Sequence, residues 1–161
     1  MAADYFLQIT GVPGESKDSK HKDWIDVLSW SFGESNPGSH QVGGGGAGAG
    51  KVQMSDITFM TRMSKASPKL FLSCATGKHM NEAKLVGVHG GSMQQEYLTW
   101  TFSDVLVSSY QTQGSAGDDI VMDSVSLAFS KVRVEYKMQK ADGSLDKAIT
   151  AGWDLKSNKG F

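Results

Sequence analysis

Residues 120–138 read IVMDSVSLAFSKVRVEYKM, and this stretch decides the fold. Every second residue is apolar from Val125 to Phe129 and again from Val132 to Met138. The alternation predicts β-strand, but its phase changes at Ser130-Lys131, and an uninterrupted strand would turn its apolar residues to the opposite face there. The sequence therefore predicts a bulge or bend at this point, as at the corner of a barrel.

The same period-two alternation recurs along most of the chain. A long strand is predicted over 96–110, where Leu98 and its alternate neighbours are apolar. A second phase change, between Met54 and Ile57, predicts a bulge near Ser55-Asp56. Asp142-Gly143 is typical of a hairpin turn and should lead into the last strand. The remaining predicted strands lie at 5–9, 24–32, 85–88 and 149–155.

One short helix is predicted at about residues 67–77. Ser67 suits the N-cap, Pro68 the first helical position and Gly77 the C′ position. Between them, the spacing of apolar residues gives a single stripe. We expect this stripe to face the core, and it consists of Leu70, Phe71, Cys74 and Ala75.

Residues 33–50 lack any hydrophobic pattern and predict a long glycine-rich loop. The chain has 19 glycines among 161 residues, and the run at 43–50 concentrates them. Irregular segments of this length are uncommon inside compact domains. The predicted fold class is mostly β: an antiparallel two-sheet β-barrel or tightly curled sandwich with one flanking helix. We expect a single domain over 1–161, without an appended effector domain at the C-terminus.

Composition excludes several functional classes. Sixteen basic against 17 acidic residues give a net charge of −1, which offers no electrostatic footprint for nucleic acid. One cysteine cannot form an internal disulfide. No apolar run approaches the roughly 18 residues that span a bilayer, so we expect no membrane insertion. The N-terminus lacks the basic start of a Sec-type signal peptide.

Catalytic, metal and cofactor sites are not predicted. Residues 45–51 match the first seven positions of a phosphate-binding loop, but Val52 stands where Mg²⁺ coordination needs a hydroxyl. Histidines occur singly, without ligand spacing. Cys74 is expected to be a small buried hydrophobe, and the methionines to be packing residues. The acidic residues Asp118, Asp119 and Asp123 are expected to keep a loop solvated, and the histidines are His21, His40, His79 and His89.

Polar strand faces are the features that remain. Thr99-Thr101-Ser103 and Ser124-Ser126 lie at alternate positions and could face bulk water. If copies of the chain formed a ring, such faces could instead line a wet channel through which protein cargo passes. Ser31, on a strand face that becomes polar beside Ser29, is a candidate lumen contact.

Over its whole length the sequence resembles the hemolysin-coregulated proteins, the tube subunits of bacterial type VI secretion systems. The order and spacing of several short stretches carry this resemblance. They are Val12-x-Gly14-Glu15-Ser16 with His21, Ile25-Asp26-Val27-Leu28-Ser29-Trp30-Ser31, the glycine run into Lys51-Val52, Cys74-Ala75-Thr76-Gly77-Lys78-His79, Glu96-Tyr97-Leu98, Val105-Leu106-Val107-Ser108-Ser109 and Gly152-Trp153-Asp154.

The resemblance implies a structural protein and not an enzyme. Members form homohexameric rings that stack into an inner tube, which a spike protein caps and a contractile sheath surrounds. The protein would be cytoplasmic before assembly and then secreted without a signal peptide. The resemblance also implies that such rings can hold small effectors in the lumen and protect them before export.

Two hypotheses of different classes therefore stand. In the first, the chain is a tube subunit and effector carrier, and the glycine-rich loop reaches an adjacent subunit or ring. In the second, the chain is a monomeric β-barrel that binds a small ligand. The candidate inter-subunit residues are Gly43, Gly44, Gly45, Gly46, Gly48, Gly50 and Lys51.

Overall fold

A computed structural model describes residues 2–37, 51–90 and 94–161. These ranges contain twelve strands and one helix. In chain order they are β1 Ala3–Ile9, β2 Ile25–Val27, β3 Ser29–Ser31, β4 Glu34–Ser35, β5 Gln53–Met54, β6 Ile57–Arg62, α1 Ser67–Thr76, β7 His79–His89, β8 Glu96–Gln113, β9 Met122–Ala128, β10 Lys131–Gln139, β11 Leu145–Asp154 and β12 Lys159–Gly160.

The described strands form two antiparallel sheets. Ten strands belong to one sheet, with the order β12-β11-β10-β8-β7-β1-β2 and a branch from β8 through β9 and β6 to β3. β4 and β5 form a separate two-stranded ribbon. The mostly β class with one helix is confirmed, whereas the barrel is a correction, since the described strands do not close into one.

The branch explains the phase change in the opening stretch. One edge of β8 pairs with β10 through residues 98–103 and with β9 through residues 106–113. The chain must therefore leave one ladder and enter the other, and it does so between Ala128 and Lys131. Ser130 N–H donates to the carbonyl of Ser103, 3.0 Å away, at the junction. The predicted bend at Ser130-Lys131 is confirmed.

Two other strand predictions need correction. Residues 24–32 do not form one strand, because β2 pairs with β1 and β3 pairs with β6. Leu28 stands between them, 49% exposed, and its N–H donates to the carbonyl of Met60. The bulge near Ser55-Asp56 is also wrong: β5 pairs with β4 and β6 with the main sheet, so the phase changes because the chain passes between sheets.

The core fills the space enclosed by the curled main sheet. Phe59, Phe102, Val125 and Leu127 are at most 1% exposed, and Leu70 of α1 packs among them. A second, smaller cluster lies on the outer face of β1 and β7. It consists of Phe6, Val86 and Val88, with Trp24 packed against it.

Helix α1 confirms the predicted position but not the predicted buried face. It runs Ser67–Thr76, and Gly77 follows with a positive φ of 69°, as a C′ glycine should. Of the predicted stripe, Leu70 and Cys74 pack in or against the core, whereas Phe71 is 59% exposed and Ala75 is also exposed. The fully buried residues of α1 are Leu70 and two serines, Ser67 and Ser73.

Ser67 is not the N-cap, because its side chain is used elsewhere. The N-cap position belongs to Ala66, without a side-chain capping bond. Ser67 Oγ donates to Asp123 Oδ2 at 2.5 Å and accepts from Ser64 N–H at 3.0 Å. Asp123 is fully buried, which overturns its expected place in a solvated loop. Burial, and then the charge of Asp123, raise the pKa of the Tyr110 hydroxyl.

We predict that Ser67→Ala destabilises the protein by about 2 kcal/mol. The substitution leaves the buried Asp123 carboxylate without its hydroxyl donor, and an unsatisfied buried polar group costs roughly 1–3 kcal/mol, more if charged. Urea denaturation followed by circular dichroism measures the loss. Ser73→Ala is the matched control, because Ser73 is buried on the same helix without a bond to Asp123. Equal losses in both variants would contradict the assigned role of the Ser67 hydroxyl.

Candidate functional site

One face of the main sheet is polar and uncharged. Strand register places Ser31 opposite Thr58, Thr58 opposite Ser126, and Ser126 opposite Ser109. Residues opposite one another share a face, so these four form a row across β3, β6, β9 and β8. The neighbouring row consists of Ser29, Met60, Ser124 and Gln111. We call these eight residues the hydroxyl face.

The hydroxyl face is ordered by the sheet that lies behind it. Thr58 Oγ1 and Ser126 Oγ are hydrogen-bonded at 2.8 Å, and Ser31 beside them is exposed. Inward-facing neighbours on the same strands, Phe59 and Val125, are buried in the core. The alternation of the strands thus holds small hydroxyl groups outward on a rigid support.

Charged side chains lie at the two ends of this face. Arg62 pairs with Met122 in the row beyond Met60. At the opposite end, Asp56 accepts a hydrogen bond of 2.5 Å from the Ser108 hydroxyl. Between these ends, the two rows contain no ionisable side chain. The surface can therefore hydrogen-bond to a passing molecule without selecting it by charge.

The second predicted polar face, Thr99-Thr101-Ser103, has a different character. Thr101 lies between Lys84 and Arg133, and Ser103 between Glu82 and Lys131. Its hydroxyl groups are thus interleaved with charges of both signs. The alternation in the sequence predicted the same polar character for both faces. The strand register shows that charged residues lie beside only this second face.

The loop that precedes β2 is anchored by His21. The spacing of the histidines predicted no metal site or other function for this residue. The imidazole is 1% exposed and lies parallel to the Phe6 ring at 4.6 Å. Nδ1 lies 2.7 Å from Asp18 Oδ2, and Nε2 lies 2.6 Å from Glu96 Oε1. Both ring nitrogens therefore lie within hydrogen-bond distance of a carboxylate oxygen. The buried pair of bonds ties the loop to β8.

Gly14 belongs to the same anchored loop. Its N–H donates to the carbonyl of Asp23 at 2.7 Å, and a Cβ at this position would collide with the carbonyl of Trp24. The N–H of Ser16 donates to the carbonyl of Trp24, and the carbonyl of Ser16 accepts a hydrogen bond from the N–H of Asp23. The Gly14-Glu15-Ser16 stretch and His21, quoted separately in the sequence, are therefore one structural unit.

His79 and His89 lie outside the core, and the described methionines are divided between the surface and the core. His79 Nδ1 lies 2.9 Å from Asp104 Oδ1, and His89 stacks on Tyr97 with ring centroids 4.0 Å apart. Met60 and Met63 are 41% and 50% exposed and are not packing residues, whereas Met80 is in the core and Met54 packs against it, as expected. Across the ranges that the structure covers, three or more His, Cys, Asp or Glu side chains do not come together as a metal site.

Of the predicted site residues, Ser31 lies on the hydroxyl face and Lys51 is exposed just before β5. The glycines Gly43, Gly44, Gly45, Gly46, Gly48 and Gly50, as well as His40, lie outside the described residues. Cys74 is half-buried and packs against the core. Within the described ranges, α1 is too short and polar to be a bilayer-spanning helix.

The described elements define a mostly β protein with one helix and an uncharged, hydroxyl-rich sheet face. The sequence model described as "Type VI secretion system effector, Hcp" matches residues 6–136. Protein hcp1 of Pseudomonas aeruginosa strain PAO1 is 47% identical over 160 residues, with 98% of each chain covered.

Solved structures agree with the sequence match. A structure titled as a type six secretion system protein is 31% identical with a TM-score of 0.93, and 99% of this chain and 100% of that chain are covered. Hcp1 from Salmonella typhimurium is 39% identical with a TM-score of 0.79, and both chains are fully covered. The chain belongs to the Hcp family of type VI secretion proteins.

We predict that the His21 anchor makes stability depend on acid pH through Asp18. The hydrogen bond from His21 is the largest cause that lowers the pKa of Asp18 below its usual 3.8. A lowered folded-state pKa adds stability above pH 4, and this contribution is lost as the pH falls through the folded-state value.

Urea unfolding between pH 6 and pH 2 measures this dependence. Asp18→Asn should flatten the acid side of the stability profile and lower the stability at pH 6. Asp119→Asn, an exposed loop substitution, is the control and should leave the profile unchanged. Parallel acid profiles for wild type and Asp18→Asn would contradict the prediction.

Proposed function

We propose that this protein is the tube subunit of a type VI secretion system. Six copies form a ring, the rings stack into the inner tube, and the hydroxyl face lines the lumen. The observation that carries the proposal is the run of eight uncharged residues across four adjacent strands, with charges only at its ends. A lumen wall of this kind lets polypeptides of either charge pass without strong binding.

The partners follow from the same proposal. The chain contacts its own copies within and between rings, a spike protein at the tube tip, the surrounding sheath, and secreted effectors in the lumen. It is made in the cytoplasm and leaves with the tube, without a signal peptide, and it acts as a structural protein without catalysis. Family membership supports these assignments.

A monomeric binder for a small ligand is less well supported. A ligand cavity inside the curled sheet would need open space among the inward-facing residues. Those positions are filled by Phe59, Phe102, Val125 and Leu127, all at most 1% exposed. Size-exclusion chromatography with light scattering separates the two functions, because a ring is six times the mass of one chain. A monomer at every concentration would exclude the tube subunit.

We predict that Ser31→Glu abolishes the retention of effectors while rings still form. The substitution places a bulky, ionised side chain on the β3 edge of the uncharged hydroxyl face, beside Thr58, where it attracts or repels effectors according to their charge. Co-purification of small secreted proteins with tagged rings from producing cells is the measurement. Ser115→Glu, on an exposed loop, is the matched control. Unchanged co-purification by Ser31→Glu would refute the lumen assignment.

We predict that deletion of Gly43–Gly50 weakens tubes more than it weakens folding. The described core residues lie on strands and a helix that the deletion leaves in place, so the thermal transition should stay cooperative. Stacking of rings, which we assign to the segment together with Lys51, should be lost. Calorimetry and negative-stain electron microscopy report the two properties separately. Loss of the cooperative transition would show that the segment is needed for the fold itself.

A further inference from the structure

The helix α1 presents an apolar stripe to solvent. Pro68, Phe71, Leu72 and Ala75 are all exposed, and Phe71 and Leu72 are each 59% exposed. Their spacing is i, i+3, i+4 and i+7, which places the four side chains within about 100° of arc on an α-helix. Helices that dock against a partner helix or into a groove use this spacing. We call these four residues the outer stripe.

The opposite side of α1 explains why the stripe faces outward. Leu70 is fully buried, and the buried serines Ser67 and Ser73 lie on the same side of the helix. The Ser67 hydroxyl donates to the buried carboxylate of Asp123. A rotation of the helix that buried Phe71 would break this bond and expose Leu70. The apolar outer stripe therefore stays in water unless another molecule covers it, and covering it is favourable.

The charged side chains around the outer stripe are all basic. From residue 63 to residue 78 they are Lys65, Lys69 and Lys78, and all three are exposed. Within the described ranges, none of these lysines forms an ion pair with an acidic side chain. Glu15 meets this segment only at its N-terminal end, where Oε2 accepts from the Lys65 N–H at 3.3 Å. A partner with acidic groups beside its apolar residues complements such a surface.

The same charges disfavour the α1 helix of a second copy as the partner. Two α1 helices packed stripe against stripe would bring the lysines of both copies together, and like charges at an interface are unfavourable. Within the ranges that the structure describes, α1 is also the one helix of the chain. The complementary acidic helix therefore belongs to a different protein.

The outer stripe lies on the side of the sheet opposite the hydroxyl face. Asp123 and Val125 of β9 are buried on the side where α1 packs, and Asp123 bonds to α1. Ser124 and Ser126 alternate with them and belong to the hydroxyl face. If the hydroxyl face lines the lumen, the outer stripe points away from the lumen and from its cargo.

We propose that the outer stripe binds an amphipathic helix with acidic flanks, carried by a different protein on the outside of the tube. The outward direction rests on the proposed tube function, whereas the apolar spacing and the lysines are independent of it. Phe71 and Leu72 pack against the apolar side of the partner helix. Lys65, Lys69 and Lys78 pair with its acidic residues.

Two synthetic helical peptides test this surface on the full chain. Both carry leucine and alanine at i, i+3, i+4 and i+7, and they differ only in the flanking residues, which are glutamate in one and lysine in the other. Fluorescence anisotropy measures the binding of each labelled peptide to the protein as it assembles in solution. The variants are Leu72→Ser and Lys69→Gln. Met138→Ser and Lys147→Gln are the matched controls, because both residues are exposed on other elements.

The glutamate peptide should bind at least tenfold more tightly than the lysine peptide. Leu72→Ser should weaken its binding roughly tenfold, because an apolar side chain is removed from the contact. Lys69→Gln should weaken it by about twofold to fivefold, the effect of one exposed ion pair, and the controls should bind as wild type does. Equal binding of the two peptides, or unchanged binding by Leu72→Ser, would overturn the proposal. Phe71→Ser is a second variant in case thermal denaturation shows that Leu72→Ser alters folding.

Photocrosslinking in producing cells identifies the natural partner. Leu72→benzoylphenylalanine carries the photoreactive group, the same replacement of Ser115 on an exposed loop is the control, and mass spectrometry sequences the cross-linked peptides. At position 72 alone, we expect a peptide of a different protein with an apolar helical stripe flanked by Asp or Glu. A peptide of this chain, for example from β10 or β11, where Tyr136 and Ile149 are exposed, would make the stripe a contact between copies and overturn the proposal. The absence of a cross-link would also overturn it.

Light scattering separates the failure of this proposal from the failure of the tube function. Leu72→Ser should form rings of the same mass as wild type, and a loss of rings would show that the stripe joins copies of the chain, which overturns the proposal. Wild type that stays monomeric at every concentration would refute the tube function and the outward direction. Rings that form normally but bind both peptides equally would refute only the assignment of the outer stripe.

Discussion

A strand edge can hydrogen-bond to one partner at a time, and the architecture depends on how β8 divides its edge. β10 occupies residues 98–103 and β9 occupies residues 106–113. The chain between these two partners must turn at Ser130, and the sheet must separate into two directions there. One direction carries the face in which Thr101 and Ser103 lie among charged residues, and the other carries the hydroxyl face. Both candidate surfaces thus originate from a single long strand.

Short-range sequence patterns predicted the features of the fold that depend on neighbouring residues. The alternation of apolar and polar residues predicted most of the strands and the bend at Ser130-Lys131. The positions of Pro68 and Gly77 predicted the helix. The pattern could not distinguish a bulge from a change of sheet at Ser55-Asp56, because both shift the apolar phase by one residue. It also misplaced Phe71, since two buried serines, Ser67 and Ser73, took the inner face of α1.

Contacts with residues far away in the sequence determine the roles of the residues whose importance the sequence patterns did not indicate. Asp123 is buried because Ser67, 56 positions away, donates to it. His21 anchors the loop to β8 because its Nε2 is hydrogen-bonded to the carboxyl group of Glu96, which is 75 positions away in the sequence. Composition offers no signal for either pairing. Ser31 lies on a polar face, as the alternation of its strand indicates, and its contact with a lumen stays a prediction. Thr58 and Ser109 join that face through strand register, which a single sequence does not display.

The lack of ionisable side chains in the hydroxyl face affects how its hydration depends on salt and pH. Serine and threonine hydroxyls do not titrate, and a surface without fixed charge gathers no counterion layer for salt to compress. Its hydration is therefore the same at high and low ionic strength and across the physiological pH range. A conduit lined in this way would present equal friction to its contents in the medium where it is built and in the medium where it opens.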